Sequence, residues 1–203
     1  MSNLLQDLSS QIVTLEGEFV RLEPLEMRHA PALAQVVGDP EIWRYMPTKL
    51  TNLKEIEAWI EASLESQAAG EVLPFATIDQ ATGQAIGSTR YLNIMPKDRG
   101  VEIGHTWLAK RAWRTAINTN CKYLLLQNAF EQLNCIRVCL KTDRRNERSR
   151  NAILGIGASF EGILRQHMIL QDGTYRDTAY FSIIDLEWPA VKARLETRLR
   201  REN

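Results

Sequence analysis

The stretch that decides the fold is residues 101–142, VEIGHTWLAKRAWRTAINTNCKYLLLQNAFEQLNCIRVCLKT. Its first eight residues, 101–108, are rich in β-branched and aromatic side chains and predict a strand. Asn118 and Thr119 are good N-cap residue types, and apolar residues at spacings of three and four over 123–133 predict a helix behind them. Alternating apolar residues over 136–142 predict a second strand. The three elements form a βαβ unit, whose strands run parallel through a right-handed crossover.

The turn in front of this helix is basic, with Lys110, Arg111 and Arg114 in five residues. The first N–H groups of a helix lack partners and carry partial positive charge, so a phosphate is a natural occupant there. The stretch therefore predicts a phosphorylated cofactor at the helix front. The alternative is an ordinary crossover whose basic turn is merely solvated.

Composition bounds the remaining possibilities. The 203 residues, 44% of them hydrophobic, suffice for one domain with a complete core. Lys plus Arg and Asp plus Glu number 25 each, so no global field favours nucleic acid or an anionic membrane. No apolar run approaches a membrane span and no secretory signal is visible, so we expect a cytoplasmic protein. The spacing of the three cysteines fits neither a zinc site nor a redox pair, and we expect them to be reduced and buried.

The rest of the chain predicts a lead-in at residues 1–13 and one domain at 14–203. The elements expected outside the βαβ unit are a hairpin over 14–22 bent at Gly17, helices over 26–37 and 52–69, antiparallel strands over 73–79 and 85–94, a short helix ending at Leu154, a closing hairpin of 158–170 and 175–184 with Gly162 as a bulge, and a terminal helix over 187–201.

Three large side chains are candidates for the substrate side of a cleft. Trp43 and Tyr45 lie in a short segment dense in large residues, which either floors a cleft or plugs one end of the core. Arg90 in the strand over 85–94 is a third candidate, and its alternative is a packing or surface role.

The order of these elements resembles the GNAT superfamily of acetyl-coenzyme A-dependent N-acetyltransferases. Four segments, EIGH at 102–105, NERS at 146–149, GASFEG at 157–162 and RDTAYF at 176–181, are similar to the Rim-like branch, which includes ribosomal-protein N-terminal acetyltransferases. The resemblance implies an α+β fold: a single domain with a mixed, mostly antiparallel sheet, a central splayed pair of parallel strands, and flanking helices.

The superfamily's cofactor loop, Q/R-x-x-G-x-G/A, maps onto residues 111–116, RAWRTA. Arg111 and Ala116 satisfy the pattern, whereas Arg114 stands where glycine is expected. A side chain there costs about 1 kcal/mol or more if the backbone must be left-handed, so the departure weakens cofactor binding. Alternatively it compensates, because an arginine beside a pyrophosphate offers charge-assisted hydrogen bonds.

The resemblance implies that acetyl-coenzyme A is the co-substrate and assigns its contacts. The pantetheine arm lies between the splayed strands, against backbone groups of Trp107 and Leu108. Asn146 resembles the asparagine that bonds the pantetheine, although an N-cap of the following helix is its alternative role. The pyrophosphate lies on the backbone of residues 112–117, which are Ala112, Trp113, Arg114, Thr115, Ala116 and Ile117.

Many superfamily members use a tyrosine, seven residues after that asparagine, as the acid for the departing thiolate. Ile153 occupies this position here. The Rim-like branch instead has a serine three residues after the asparagine, and Ser149 matches it. Its hydroxyl can stabilise the thiolate or relay a proton through water, and a surface position on the helix is the alternative.

Glu102 is the first candidate for the general base, since partial burial beside the splay can raise a carboxyl pKa. His105 is the fallback, because histidine titrates nearer neutrality; its alternative is a satisfied core residue. On a regular strand Glu102 shares a face with Gly104 and Thr106, while His105 lies on the other face with Trp107. Both reach one cleft only if the strand bulges.

The activity expected is direct acetyl transfer to a primary amine in a ternary complex, with no metal. The acceptor is a peptide N-terminus or a small amine such as an amino acid, polyamine or drug. A coenzyme A-binding module that has lost catalysis is a rival suggested by Arg114 and Ile153. A nucleotide-binding dehydrogenase is a weaker rival, because it would require a Gly-rich G-x-G-x-x-G turn and residues 111–116 contain no glycine. The exposed edge of the closing hairpin is a candidate homodimer contact.

Overall fold

A computed structural model describes residues 13–170 and 172–201, so all but the last residue of the predicted lead-in lies outside the described chain. The strands are β1 (Leu15–Glu16), β2 (Val20–Pro24), β3 (Leu73–Asp79), β4 (Ala85–Met95), β5 (Gly100–Leu108), β6 (Arg137–Asp143), β7 (Ser159–Ile169) and β8 (Tyr175–Ile184). The helices are α1 (Ala30–Ala34), α2 (Pro40–Trp43), α3 (Leu53–Ala68), α4 (Ala116–Gln127), α5 (Glu147–Gly155) and α6 (Trp188–Arg201).

The eight strands form one sheet in the order β1-β2-β3-β4-β5-β6-β8-β7. The β5–β6 pair is parallel and every other neighbouring pair is antiparallel, which confirms the predicted mixed sheet. β5 and β6 pair only from Gly100↔Arg137 to Ile103↔Leu140. β5 then continues to Leu108 and β6 to Asp143 without further pairing to each other, so the two strands splay as predicted.

The helices cover the two faces of the sheet unequally. On one face α1, α2 and α3 pack over β3 and over Trp107 of β5. On the other face α4 and α6 pack over β6 and β8, where Leu140, Phe181 and Ile183 enter the main apolar cluster. The face of β6, β8 and β7 that is turned away from α4 and α6 carries Lys141 and Tyr180, which belong to neither cluster. This uncovered half-face borders the splay.

Helix α4 begins earlier than predicted. Thr115 is its N-cap and accepts a hydrogen bond from the Ile117 N–H at 3.3 Å. The expected N-caps, Asn118 and Thr119, lie instead within the helix. Thr115 succeeds because it follows Arg114, whose φ of 62° ends the preceding turn in a left-handed conformation.

The far end of α4 is joined to the sheet. The helix passes into a π turn over Asn128–Gln132. Tyr91 of β4 is fully buried and donates its hydroxyl to the Leu125 carbonyl at 2.5 Å, and the Asn128 side chain donates back to that hydroxyl at 3.3 Å. Burial raises the pKa of Tyr91, so the hydroxyl stays protonated and the bond persists.

Most of the remaining predicted elements are confirmed, with local differences. The single helix expected over 26–37 is a 3₁₀ turn, Met27–His29, followed by the five residues of α1, because Pro31 near the start of α1 cannot donate to a continuous helix. Gly162 is at a bulge between β7 and β8. Cys121, Cys135 and Cys139 are free and buried, as predicted, although Cys135 precedes β6 rather than lying in it.

No described helix is long and apolar enough to cross a membrane. β7 forms one edge of the sheet, and Phe160, Leu164 and Ile169 expose much of their apolar side chains along it. Pairing of this edge with a second subunit stays a prediction.

Candidate active site

A cleft of about 760 Å³ opens where β5 and β6 part. Its walls are the C-terminal ends of those strands, the loop and first turns of α4, the start of α5 and the turn after α2. Eleven of the residues predicted for the site line it: Tyr45, Glu102, His105, Trp107, Leu108, Ala112, Trp113, Arg114, Thr115, Asn146 and Ser149. The splay thus brings together side chains and backbone that are more than a hundred residues apart in sequence.

Glu102 is the carboxylate at the base of the splay. Only 2% of the residue is exposed. Its Oε2 accepts a hydrogen bond from Asn93 Nδ2 at 2.8 Å and lies 3.1 Å from the Lys141 ammonium. Its Oε1 is buried and has no partner within the described chain. Burying a carboxylate oxygen without a hydrogen-bond donor costs free energy of folding. A molecule in the cleft that donates a hydrogen bond or a proton to Oε1 would offset this cost.

β5 bulges, and this brings His105 into the same cleft as Glu102. Across the β4–β5 pair, two steps on β4 correspond to three on β5 between Gly104 and Trp107. His105 has a φ of 47° at this bulge. The phase shift is visible in the packing, because Ile103 enters one apolar cluster and Trp107 the cluster on the opposite face. Glu102 and His105 both line the cleft, so the bulge that the sequence required for both to reach it is present.

The surroundings of His105 favour the neutral imidazole. Burial, followed by the positive charges of Arg90, Lys141 and Arg176, lowers the pKa of His105 to about 4. The expectation that it titrates near neutrality is thus not met, and a neutral imidazole of such low basicity is a weak proton acceptor. Glu102 is the stronger candidate for the base.

The Trp113 side chain holds the loop before α4 through one hydrogen bond and one stacking contact. The Trp113 indole N–H donates to the Leu108 carbonyl at 3.0 Å, and the Arg148 guanidinium of α5 stacks 3.4 Å from the centre of the Trp113 ring. Arg114, with its left-handed backbone, lines the cleft beside them. The two arginines at the mouth, Arg114 and Arg148, add positive charge next to the free amides at the front of α4.

The remaining residues of the predicted cofactor loop have different roles. The Arg111 side chain is exposed and does not line the cleft, and neither do Ala116 and Ile117, whose side chains pack inward. Lys110 is engaged with Glu41 at 2.6 Å and Asp39 at 3.7 Å, so its charge is largely compensated. The groups available to a phosphate here are therefore the backbone N–H groups at the start of α4, the Arg114 side chain of the loop and the Arg148 side chain of α5.

Asn146 is both an N-cap and a cleft residue. Its Oδ1 accepts a hydrogen bond from the Ser149 N–H at 3.1 Å, as the alternative reading expected, and this leaves its NH₂ group to donate into the cleft. Ser149 lines the cleft from the first turn of α5. Ile153, one turn further, is buried in the main apolar cluster, so no acid stands where many superfamily members have a tyrosine.

Two of the three predicted substrate residues lie elsewhere. Trp43 is buried and donates its indole N–H to the Val37 carbonyl at 2.8 Å, so it belongs to the core. Arg90 is buried under α3, where it donates to Ser63 at 3.2 Å and stacks on Trp59. Burial lowers the pKa of Arg90 to about 10. Tyr45 alone of the three lines the cleft.

The sequence reasoning missed four polar residues of the site. Asn93 and Lys141 hold the Glu102 carboxylate, and Arg176 of β8 is a buried cleft residue. Lys122 of α4 donates to the Thr106 hydroxyl at 2.6 Å, and burial lowers the pKa of this ammonium to about 8. A charged residue on a strand of otherwise alternating apolar residues, such as Lys141, was the available signal.

Comparisons with known proteins agree with this geometry. A family profile described as an acetyltransferase (GNAT) domain matches residues 20–159. A crystal structure of a GCN5-related N-acetyltransferase from Brucella melitensis is 31% identical, with a TM-score of 0.86 over 93% of this chain and 86% of that chain. YdaF of Bacillus subtilis (strain 168), named as a candidate ribosomal N-acetyltransferase, is 32% identical over 110 residues, 54% of this chain and 59% of that protein.

A third similarity concerns the fold. RimJ of Mycobacterium smegmatis, solved in complex with CoA-disulfide, has a TM-score of 0.77 over 88% of both chains at 22% identity. One relative, YdaF, is thus named for ribosomal N-acetylation, the activity of the Rim-like branch that the sequence resembles. Because the profile covers most of the chain and the parallel strands splay around a buried carboxylate, the chain belongs to the acetyltransferase (GNAT) domain family and is an N-acetyltransferase.

Proposed function

We propose that the chain transfers the acetyl group of acetyl-coenzyme A to a primary amine by direct attack in a ternary complex. One observation carries the proposal: Glu102 Oε1 is buried without a partner in the cleft where β5 and β6 stop pairing. An attacking amine must lose a proton, and an unpartnered carboxylate oxygen at the splay is positioned to accept it.

The residues of the cleft fit acetyl-coenzyme A. Beyond Ile103, β5 has no strand partner on its β6 side, which leaves backbone groups for the pantetheine arm. The NH₂ group of Asn146 lies on the opposite wall, and the amides at the front of α4 with Arg114 and Arg148 suit a pyrophosphate. The cofactor supplies an activated acyl group as its thioester.

The chain's own groups then divide the work. Glu102 Oε1 accepts the proton of the amine, and Asn93 and Lys141 hold the carboxylate by its other oxygen. Ser149 donates a hydrogen bond at the sulfur end, because no tyrosine stands at position 153. The neutral imidazole of His105 lines the cleft as a polar group and does not act as a second base.

A protein N-terminus is the acceptor that the shape favours. Helices α1–α3 cover only the β3–β5 side of this face, and Tyr180 and Glu161 of the adjoining strands remain partly exposed. An extended peptide fits such an uncovered half-face. A small amine remains the second candidate, because Tyr45 and Met46 line the cleft and narrow its acceptor end.

The test combines binding with transfer. We expect calorimetry to show acetyl-coenzyme A binding and labelled acetyl-coenzyme A to modify members of a panel of peptides and small amines. Glu102→Gln should retain cofactor binding and lose at least about a hundredfold in rate. Glu61→Gln, an exposed change on α3 outside the cleft, is the matched control. Binding without transfer to any amine would favour the catalytically impaired module.

A further inference from the structure

Arg176 is a buried cation without a counter-ion. It lies on β8, opposite Met168 of β7, lines the cleft and is 5% exposed. Its Nε is buried without a hydrogen-bond partner, and its guanidinium forms no ion pair with any residue of 13–170 or 172–201. A buried guanidinium in this state is costly unless something else pairs with it.

The two carboxylates that act electrostatically on Arg176 are already paired with other cations. Glu102 is paired with Lys141 at 3.1 Å, and Asp143 accepts two hydrogen bonds from the Arg145 guanidinium, at 3.0 Å and 2.8 Å. These two pairs are neutral, and none of the ion pairs in the described chain neutralises Arg176. Burial lowers the pKa of Arg176, while the negative charges of Asp143 and Glu102 act to raise it.

The position of Arg176 assigns it to the acceptor side. Asp143 pairs with Thr178 and Lys141 with Tyr180, so the alternation of β8 puts Arg176 on the same face as Lys141. The opposite face of these strands, with Ala179 and Phe181, packs against α4 and α6. Helix α4, at whose front the cofactor phosphates are expected, thus packs on the face of the sheet opposite to the Arg176 side chain.

Resting on the proposed acetyl transfer, we propose that Arg176 binds a carboxylate of the acceptor, so that the preferred acceptor is an amine with a carboxylate a few bonds away. A guanidinium whose Nε has no hydrogen-bond partner is suited to a two-point contact with a carboxylate through Nε and a terminal nitrogen. The carboxylate belongs either to a free amino acid or to an acidic residue near a peptide N-terminus.

Pairs of acceptors that differ only in the carboxylate test the proposal, and they show whether the carboxylate comes from a free amino acid or from a peptide side chain. Alanine is compared with alaninamide, and an amidated peptide beginning Ser-Glu with one beginning Ser-Gln. The native protein should prefer the acidic member of one pair by about 30-fold in kcat/KM, which corresponds to about 2 kcal/mol. Arg176→Met should abolish that preference with KM for acetyl-coenzyme A unchanged, and Arg176→Lys should restore part of it. Equal use of both members of both pairs would overturn the proposal.

Controls separate binding from folding. Arg144→Met removes a neighbouring exposed arginine that pairs with Asp177 outside the cleft, and should keep the preference. Because Arg176 has no partner, Arg176→Met should unfold at no lower urea concentration than the native protein. A variant that loses stability but keeps the acid preference would show Arg176 to be a structural residue.

A second readout does not depend on transfer. Calorimetry with coenzyme A present should show N-acetylalanine or acetyl-Ser-Glu-amide binding about 30-fold more weakly to Arg176→Met than to Arg144→Met. If no amine is acetylated but this difference is found, the proposed transfer fails and the carboxylate site stands. Equal binding to the two variants would overturn the carboxylate site whatever the transfer assay shows.

Discussion

The Lys141 ammonium lies 3.1 Å from Glu102 Oε2, and this ion pair joins β5 and β6 at the last point where they run together. Glu102 pairs across the strands with Cys139, two residues before Lys141 on the same face. The side chains of Glu102 and Lys141 are only 3% and 18% exposed. The pair therefore sets the position of the candidate base as well as the start of the splay.

Removing the cation should cost stability. Lys141→Met leaves the Glu102 carboxylate in a buried site with one hydrogen bond, and we expect the free energy of unfolding to fall by about 2–3 kcal/mol. Urea unfolding at pH 7.5 measures it. Lys97→Met, at an exposed lysine in the β4–β5 turn, should change it by less than about 0.5 kcal/mol. Equal effects of the two changes would contradict the structural role of the pair.

A methyl group at Gly104 should disturb the same carboxylate. A Cβ there would lie 2.9 Å from Leu92 Cδ2 and 3.1 Å from Glu102 Oε1. We expect Gly104→Ala to lower the free energy of unfolding by about 1–2 kcal/mol and the transfer rate by about tenfold or more. Gly38→Ala, where a Cβ meets nothing within 4 Å, is the control. An unchanged rate in Gly104→Ala would show that the position of Oε1 is not critical.

The low pKa of His105 makes stability depend on pH. The unfolded chain takes up a proton as the pH falls below about 6.5, whereas the folded protein does so only near a pKa of about 4. His105 therefore contributes stability above pH 6.5 that is lost as the pH falls through the folded pKa. Between pH 7.5 and 4.5 we expect His105→Asn to lose about 2 kcal/mol less than the native protein. Asparagine tolerates the positive φ of this position.

Two substitutions separate backbone from charge at Arg114. Arg114→Gly relieves a left-handed backbone and should raise the free energy of unfolding by about 1 kcal/mol, whereas Arg114→Ala should not. Because both remove a guanidinium from the helix front, both should weaken coenzyme A binding about tenfold by calorimetry. Unchanged affinity in Arg114→Ala would mean that this arginine is merely solvated.

Hydrophobic period and turn residues were sufficient to predict the strands and most helices, because each element has one buried face, whereas the mixed sheet with its splay was implied by the family resemblance. The terminal helix over 187–201 is the clearest case, with Trp188, Val191, Leu195 and Leu199 all buried as their spacing predicts. The start of α4 was predicted wrongly because three residues within five positions, Thr115, Asn118 and Thr119, are all good caps. Only the left-handed turn at Arg114 decides between them.

The candidate site was less accessible from sequence, because it depends on a change of strand phase. A one-residue bulge in β5 moves His105 into the cleft and Trp107 to the face of α3, and no residue type in that segment demands it. The partners of buried charged side chains are equally impossible to read from the sequence. Arg90 and Arg176 are both buried arginines on strands, yet the Arg90 guanidinium donates to Ser63, whereas the Arg176 side chain has no hydrogen bond or ion pair within the described chain and its buried Nε has no partner.

The hydroxyl of Tyr91 on the Leu125 carbonyl has a consequence for how the molecule accommodates a ligand. This buried hydrogen bond connects the C-terminal part of α4 to the centre of the sheet, and we expect it to keep the helix from rotating when a ligand binds at its N-terminus. We therefore expect the conformational change on ligand binding to be confined to the loop between Leu108 and Thr115, while α4 keeps its position.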